Sequence, residues 1–201
     1  MRIVVISPES ADPREVPAME GFFAAGLERY HVRKPSWTGP ELEAWLRRLP
    51  VGWRPRIMLH QHHSLSAILG LGGRHEKGDS QRAEGESRSC HDLAQLRRYL
   101  RSYGQVVFGP IFPSLTKAGY EPAADFPWIE LRAVLRGRDD RGCARVLAIG
   151  GVTADRLERC AELGFDGAAV MGAVWNEPDP VRAFAGILGA SERLGSTCHA
   201  A

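Results

Sequence analysis

The sequence has few cysteines and no long apolar run, and both deficits narrow the class of protein. Four cysteines occur among 201 residues, and their spacing has none of the pairing that metal or redox sites use. So few cysteines in a chain of this length are typical of a reduced compartment. The apolar start, residues 1–6, is too short for a signal sequence or a membrane span. These features predict a soluble, cytoplasmic protein without a membrane partner.

The sequence also lacks an excess of charged residues of one sign. The chain carries 26 Lys and Arg against 24 Asp and Glu, which gives a net charge of +2, and it contains no run of five basic residues. A nucleic-acid partner is therefore not expected. The hydrophobic fraction of 44% is enough for one domain with a full core. Nothing in the sequence predicts an oligomeric state.

What the sequence does contain is a regular alternation of short apolar segments and amphipathic stretches. Residues 3–6, 56–60 and 145–149 have the character of buried strands, and helical periodicity lies between such segments about eight times. This alternation requires parallel strands with crossover helices, either a closed barrel or a doubly wound open sheet. The chain is short for a barrel, but no Gly-x-Gly-x-x-Gly motif follows the first strand. We predict a compact (β/α)8 TIM barrel over residues 1–190 and a frayed tail over 191–201.

One helix of this barrel is expected to be shortened or replaced. Residues 76–88 are polar, rich in glycine, serine and charge, and lack apolar periodicity. Such a composition predicts a loop after strand four, where the alternation calls for a helix.

Polar residues follow most of the predicted strands. In either fold, ligands bind at the carboxyl ends of the strands, so these residues should meet at one mouth. They are His31 and Arg33, His60 and Gln61, His75, Ser89 and His91, Ser114 to Lys117, and Gly150 with Gly151.

The segment Gly109–Lys117 has the composition of an anion site. Ser114, Thr116 and Lys117 could hold a phosphate or diphosphate through hydroxyl and charge-assisted hydrogen bonds. Glycines after the last two strands, Gly151 and Gly172, allow the backbone to approach an anion closely. The alternatives are a Pro-rich surface turn and tight strand-to-helix turns.

Two groups of histidines are candidates for chemistry. His60, His62 and His63 resemble a metal cluster, but no carboxylate or cysteine lies beside them, so we predict a partly exposed group without a metal. His91 ends strand five beside Ser89, and an ordinary histidine pKa near 6.5 suits proton transfer at neutral pH. Its alternative role is a hydrogen bond that holds the loop.

These motifs together resemble the thiamine phosphate synthase and TenI family of barrels. The matching segments cover most of the chain in the family's order: 31–33, 73–75, 89–91, 109–117, 148–152 and 166–173. The resemblance implies that Arg33, Ser114, Thr116 and Lys117 contact diphosphate or thiazole phosphate, and that Gly151 and Gly172 supply phosphate-binding backbone. It also implies substrate contacts for His31, at the position of a pyrimidine-binding glutamine, for His75 near that ring, and for Ser89.

Three positions depart from the synthases of this family. The synthases carry Asn-Asp-Asp after strand three, where this chain has His60-Gln61-His62. A second Mg²⁺ carboxylate follows their strand four, where this chain offers only Asp79 or Ser80. Lys34 is displaced from the second basic position of the strand-two motif. No cofactor is therefore certain, and Mg²⁺ is implied only if the protein is a synthase.

The TenI branch of the family lacks those aspartates and shifts a proton on a thiazole carboxylate phosphate. A histidine at the position of His91 is the acid–base group in that branch, but synthases can carry one there too, so it is the missing metal carboxylates that favour this branch. We therefore predict a TenI-type thiazole tautomerase that acts on a thiazole phosphate. The first alternative is a thiamine phosphate synthase, which joins hydroxymethylpyrimidine diphosphate to thiazole phosphate. The second is a binder of a phosphate ligand without catalysis.

Overall fold

The fold is a closed barrel of parallel strands. The computed structural model describes residues 1–77, 80–116, 119–138 and 142–197. Each strand pairs in parallel with the next along the chain, and the last pairs with the first. This closure confirms the TIM barrel and excludes the doubly wound sheet. The strands are β1 (Arg2–Ile6), β2 (Arg29–Val32), β3 (Ile57–Leu59), β4 (Gly73–Glu76), β5 (Gly85–Cys90), β6 (Tyr103–Phe108), β7 (Arg145–Ile149) and β8 (Gly167–Val170).

Helices surround the barrel and cover its outer face. They are α1 (Glu15–Ala24), α2 (Gly39–Arg48), α3 (Ser64–Leu69), α4 (Leu93–Tyr99), α5 (Trp128–Arg136), α6 (Leu157–Leu163), α7 (Gly172–Trp175) and α8 (Pro180–Thr197). Short 3-10 turns span Val51–Arg56 and Ala154–Arg156. No helix in the described parts of the chain is long and apolar enough to cross a bilayer.

Helix α2 illustrates how the sequence sets these elements. Thr38 accepts a hydrogen bond from the Glu41 amide, and the Glu41 carboxylate accepts one from the Thr38 amide, which forms a capping box. Pro40 suits the first turn, where no backbone donor is needed. Leu42 and Leu46 lie one turn apart and are fully buried. The cap therefore starts the helix, and its apolar face packs it onto the barrel.

The connection between β4 and β5 confirms one expectation and corrects another. Its described residues, 77 and 80–84, form no helix, as predicted. However, β5 begins at Gly85, so residues 85–88 were wrongly assigned to the loop. Arg88 is almost fully buried, and its guanidinium donates to the carbonyl oxygens of Ser80 and Arg82 and to the Tyr103 hydroxyl. A strand held by a buried arginine that bonds to other segments has no apolar alternation to detect.

The C-terminal segment also differs from expectation. Helix α8 continues to Thr197, so residues 191–197 are helical rather than frayed. Ser191 is 1% exposed, and its carbonyl oxygen accepts a hydrogen bond of 3.2 Å from the amino terminus of Met1. Contact with the start of the chain therefore anchors α8 at Ser191, which periodicity alone does not reveal.

The interior of the barrel is divided into an apolar half and a polar half. Side chains of β1, β6, β7 and β8 form a small apolar cluster: Val4, Ile6, Val107, Leu147 and Ala169. On the opposite side, His31 of β2, His75 of β4 and Ser87 of β5 are buried and polar. The polar half lies below the strand ends at which a ligand would enter.

Candidate functional site

Two adjacent cavities open at the carboxyl ends of the strands. The glycine cavity, of about 270 Å³, lies beside the turns after β6, β7 and β8. The histidine cavity, of about 640 Å³, lies above β2 to β5. Arg33 and His91 line both. The glycine cavity adds Ser114, Thr116, Gly150, Gly151 and Gly172, and the histidine cavity adds His31, His60, Gln61, His75 and Ser89.

The glycine cavity depends on close approach of three turns. Gly151 has a φ of +61°, and a Cβ atom there would overlap the carbonyl oxygen of Pro113. A Cβ atom on Gly172 would lie 2.9 Å from the Thr116 methyl carbon. The Thr116 amide donates to the Ser114 hydroxyl at 3.3 Å, so the two hydroxyl residues are held together. The structure thus groups hydroxyls with a compact glycine backbone; Lys117 lies outside the described residues.

Arg33 stands between the two cavities. Its guanidinium forms an ion pair with the Glu9 carboxylate, which also lines the glycine cavity. The Arg33 side chain is partly exposed, with 30% of its surface accessible. A phosphate entering this cavity meets a cation that already has one carboxylate partner.

Lys34 points away from both cavities. Its ammonium is fully buried and donates to the Glu15 carboxylate at 2.6 Å and to the carbonyl oxygens of Pro8 and Ser10. It also lies 5.2 Å from the ring centre of Trp37. This lysine stabilises the β1 to β2 side of the barrel and cannot reach a phosphate in either cavity.

His91 is held in one tautomer. Its Nδ1 lies 2.6 Å from the carbonyl oxygen of Gly109. Because a carbonyl oxygen only accepts, Nδ1 carries the proton and the Nε2 of the neutral ring is an acceptor. The side chain is exposed at the boundary of the two cavities. This geometry can take a proton from a bound ligand and return it.

Three buried imidazoles form the floor of the histidine cavity, a group that we call the histidine trio: His31, His60 and His75. The Nδ1 of His31 lies 3.0 Å from the Nε2 of His60, and the rings of His60 and His75 stack with centres 4.1 Å apart. The two nitrogens of His75 contact Ser87 Oγ at 2.8 Å and Ser89 Oγ at 2.7 Å. His31, His75 and Ser89 thus meet as the strand-end pattern predicts.

The expected grouping of His60 with His62 and His63 is wrong. His60 is only 8% exposed and belongs to the histidine trio. His62 has a φ of +51°, and its Nε2 lies 2.9 Å from the carbonyl oxygen of Trp37. The chain turns after β3, so strand alternation does not extend to these residues, and the predicted partly exposed cluster does not form.

Burial keeps the histidine trio neutral. Loss of solvation, with a smaller effect from Arg29, lowers the pKa of His31 to about 3. Loss of solvation also lowers the pKa of His60 and His75 well below the ordinary value, helped by neighbouring imidazoles and Arg33. The floor of the cavity therefore presents uncharged ring nitrogens at neutral pH.

Comparisons with known proteins point to one family of enzymes. The family model described as thiamine monophosphate synthase matches residues 87–174. A thiamine-phosphate synthase of Methylobacillus flagellatus is 29% identical over 193 residues, which covers 88% of each chain. Another, from Halorhodospira halophila, is 39% identical over 94 residues, covering 46% of this chain and 42% of the relative. These matches support the resemblance of the chain to the thiamine phosphate synthase and TenI family.

A solved structure with a similar fold carries a related name. Thiamine phosphate pyrophosphorylase from Bacteroides thetaiotaomicron superposes with a TM-score of 0.78 at 24% identity, covering 96% of this chain and 98% of that one. At this identity the likeness supports the barrel fold alone. Residues 87–174 of the family match contain Ser89, His91 and the hydroxyl residues and glycines of the glycine cavity, whereas Arg33 and the histidine trio lie outside it.

The Mg²⁺ of the family's synthases does not fit the described donors. The polar groups that line the histidine cavity in the described residues are imidazoles, amides, a hydroxyl and the cations of Arg33 and Lys77, without a carboxylate. Mg²⁺ requires oxygen ligands and usually one or two carboxylates. Ser80 Oγ instead donates to the Glu76 carboxylate at 2.8 Å. Asp79, the other substitute predicted from the sequence, lies outside the described residues.

The strand-end pattern placed His60 at the same mouth as His31 and His75, but sequence reasoning also grouped it with His62 and His63 and left it out of the expected substrate contacts. His31, His60 and His75 each fall at the end of one of three successive strands. Successive strands of a barrel are neighbours, so the ends of β2, β3 and β4 meet. Strand order therefore brings these imidazoles to one mouth, whereas grouping by distance along the chain wrongly joined His60 to His62 and His63.

Proposed function

We propose that this protein binds a thiazole phosphate in the glycine cavity and shifts a proton on it, as a TenI-type thiazole tautomerase does. The observation that carries the proposal is the geometry of His91. Its Nδ1–H is committed to the Gly109 carbonyl oxygen, so Nε2 is the nitrogen available to a ligand where the two cavities meet.

The glycine cavity suits the phosphate group of such a ligand. The Ser114 and Thr116 hydroxyls can donate to phosphate oxygens, and the backbone at Gly151 and Gly172 can approach them without a side chain in between. Arg33 supplies a guanidinium that would exchange part of its contact with Glu9 for the phosphate. Lys117 has the same predicted role, by resemblance.

The reaction needs no partner beyond the ligand. Nε2 of neutral His91 takes a proton from the thiazole ring, and the resulting imidazolium returns a proton to another ring position, so the product is an isomer with the same atoms. The Gly109 carbonyl oxygen stabilises the imidazolium through the Nδ1–H bond. His31, His75 and Ser89 line the adjacent cavity and would contact the rest of the substrate.

A thiamine phosphate synthase is the second candidate, because the curated relatives carry that name. Ser114, Thr116 and Lys117 would then hold the diphosphate of the pyrimidine substrate. This function requires Mg²⁺, but the described residues that line the histidine cavity include no carboxylate, and Glu9 in the glycine cavity is paired with Arg33. The proton shift is therefore the function that the described geometry supports best.

Turnover assays separate the two candidates. The protein is incubated with the carboxylated thiazole phosphate tautomer in EDTA, alongside His91→Gln and a control, His62→Gln, whose ring contacts the Trp37 carbonyl oxygen. We expect isomerisation by the wild type and the control, and a loss of about 100-fold or more in His91→Gln.

Other outcomes overturn the proposal. Thiamine phosphate formed from pyrimidine diphosphate, thiazole phosphate and Mg²⁺, without isomerisation, indicates the synthase. Protection of the fold against heat by thiazole phosphate, with neither reaction, indicates a binder without catalysis. Full isomerisation by His91→Gln excludes His91 as the acid–base group.

A further inference from the structure

We propose that the histidine trio, His31, His60 and His75, binds one divalent transition-metal ion, with Zn²⁺ as the best-suited ion. The site lies in the polar half of the barrel, at the floor of the histidine cavity. Neither the proton shift nor the synthase reaction assigns a metal to these side chains, and the inference does not depend on either function.

The spacing of the three imidazoles is close to that of a metal site. One nitrogen from each ring lies within 4.8 Å of the other two, and one pair is 3.0 Å apart. Zn–N bonds of about 2.0–2.1 Å in a tetrahedral site place two nitrogens roughly 3.3 Å apart. The close pair therefore has to open slightly, and the more distant nitrogen has to approach by up to about 1.5 Å. Small side-chain rotations supply movements of this size.

The donor chemistry selects the class of ion. Imidazole nitrogens suit Zn²⁺, Co²⁺, Ni²⁺ and Cu²⁺, whereas Mg²⁺ and Ca²⁺ require oxygen ligands. Three histidines are also the protein ligand set of one type of zinc site that leaves a fourth position open. The exchange of the family's strand-three carboxylates for His60-Gln61-His62 thus changes which ions the barrel can hold.

Partners of the ring nitrogens fit the outer shell of such a site. Ser87 Oγ accepts a hydrogen bond from the Gln105 amide at 3.2 Å, and it lies 2.8 Å from Nδ1 of His75. If Nδ1–H of His75 donates to this hydroxyl, its Nε2 has a lone pair, which accepts from the Ser89 hydroxyl at 2.7 Å and which a metal ion would take over. A metal-binding histidine commonly fixes its second nitrogen by a hydrogen bond of this type.

An unsatisfied nitrogen points independently to a ligand. His31 is 1% exposed, and its Nε2 is buried without a hydrogen-bond partner. Buried polar atoms are almost always bonded, and an exception calls for an explanation such as an ion. If the His31 ring rotates so that Nε2 replaces Nδ1 as the metal ligand, the ion gives this nitrogen a partner and the contact of Nδ1 with His60 is lost.

The open position of the ion would face the 640 Å³ histidine cavity. Arg33 and Lys77 line that cavity, so an anionic group is the ligand that the surroundings favour beside a dication. A water molecule or a carboxylate or phosphate oxygen could complete the coordination. The site therefore takes a transition metal together with an anionic ligand from the cavity side.

Metal titrations of the full chain test the site directly. The protein is stripped with EDTA, dialysed, and titrated with Co²⁺ by visible absorption and with Zn²⁺ by calorimetry. We expect one ion per chain, a visible band typical of four- or five-coordinate Co²⁺, and a higher melting temperature with Zn²⁺. His60→Gln and His31→Gln should each weaken binding by at least about tenfold and abolish the thermal shift.

His62→Gln is the matched control, because His62 follows the same strand and contacts the Trp37 carbonyl oxygen outside the trio. It should bind Co²⁺ like the wild type. Circular dichroism of each variant in EDTA separates lost binding from lost folding, and two trio variants guard against one that fails to fold. Absence of stoichiometric binding by the wild type overturns the proposal, as does binding unchanged in both trio variants.

Discussion

Acidification should destabilise this protein through His31. The side chain is 1% exposed, and burial lowers its pKa in the folded state to about 3, whereas the unfolded chain has the ordinary value of 6.5. The unfolded state therefore binds a proton more readily than the folded state as the pH falls through 6.5. Stability is full above that pH and is lost progressively down to about pH 3.

The size of the effect follows from the same two values. At pH 5 the histidine of the unfolded chain is about 1.5 pH units below its pKa and is mostly protonated, whereas the folded His31 is still neutral. At roughly 1.4 kcal/mol per unit this amounts to about 2 kcal/mol. His60 and His75 act in the same direction, because burial also lowers their pKa.

Urea unfolding at pH 7.5 and pH 5.0, in EDTA to keep metals out, measures this loss for the wild type and for His31→Gln. Glutamine removes the titrating ring and keeps a polar group beside His60. The variant should lose about 2 kcal/mol less than the wild type on acidification. His62→Gln, which removes an exposed ring, should match the wild type. Equal losses in the wild type and His31→Gln would refute the assignment of a buried, neutral His31.

Two further predictions concern the backbone of the glycine cavity and the buried lysine. Gly151→Ala should lower the free energy of unfolding and weaken thiazole phosphate binding, because its Cβ atom meets the Pro113 carbonyl oxygen. Gly26→Ala is the control, because Gly26 has a φ of +100° but lies in open space; backbone strain alone should lower its free energy of unfolding by about 1–2 kcal/mol. Gly151→Ala should lower the free energy of unfolding by about 1–3 kcal/mol more in the same urea titration. Lys34→Met leaves the Glu15 carboxylate buried and unpaired, so it should cost about 3–5 kcal/mol, and adding Glu15→Gln should recover part of that loss. Calorimetry should show the same phosphate affinity in Lys34→Met as in the wild type, because Lys34 points away from both cavities. A large loss of phosphate affinity in a folded Lys34→Met would contradict this orientation.

Apolar runs predicted most of the barrel because strands buried on both faces must be apolar. Residues 145–149 illustrate this, since the predicted and observed bounds of β7 coincide. The prediction failed at β5, where the buried charge of Arg88 is satisfied by carbonyl oxygens of the preceding loop and by Tyr103. Such a strand depends on partners from other segments, so no local pattern marks it.

The site was predictable to the level of strand ends and no further. The carboxyl-end rule brought His91, Ser114 and Gly151 to the cavities, because it depends only on the direction of parallel strands. The orientation of Lys34 was not predictable, because its partner Glu15 belongs to α1, a separate segment whose position depends on the packed fold. The ranking of the two enzymatic functions depends in the same way on which side chains line each cavity.

The alternation of strands and helices was determined by the sequence itself, because it depends on local apolar patterns. The Gly-Pro-Ile-Phe-Pro-Ser-Leu-Thr segment and the paired glycines are also local features, and they carry the family resemblance and the prediction of an anion site. Tertiary structure decided the state of the histidines. Closure of the barrel sets the ends of β2, β3 and β4 side by side, which buries His31, His60 and His75 against one another. Burial then removes their charge and joins them into one group, because the desolvation of an imidazolium costs more than its neighbours return.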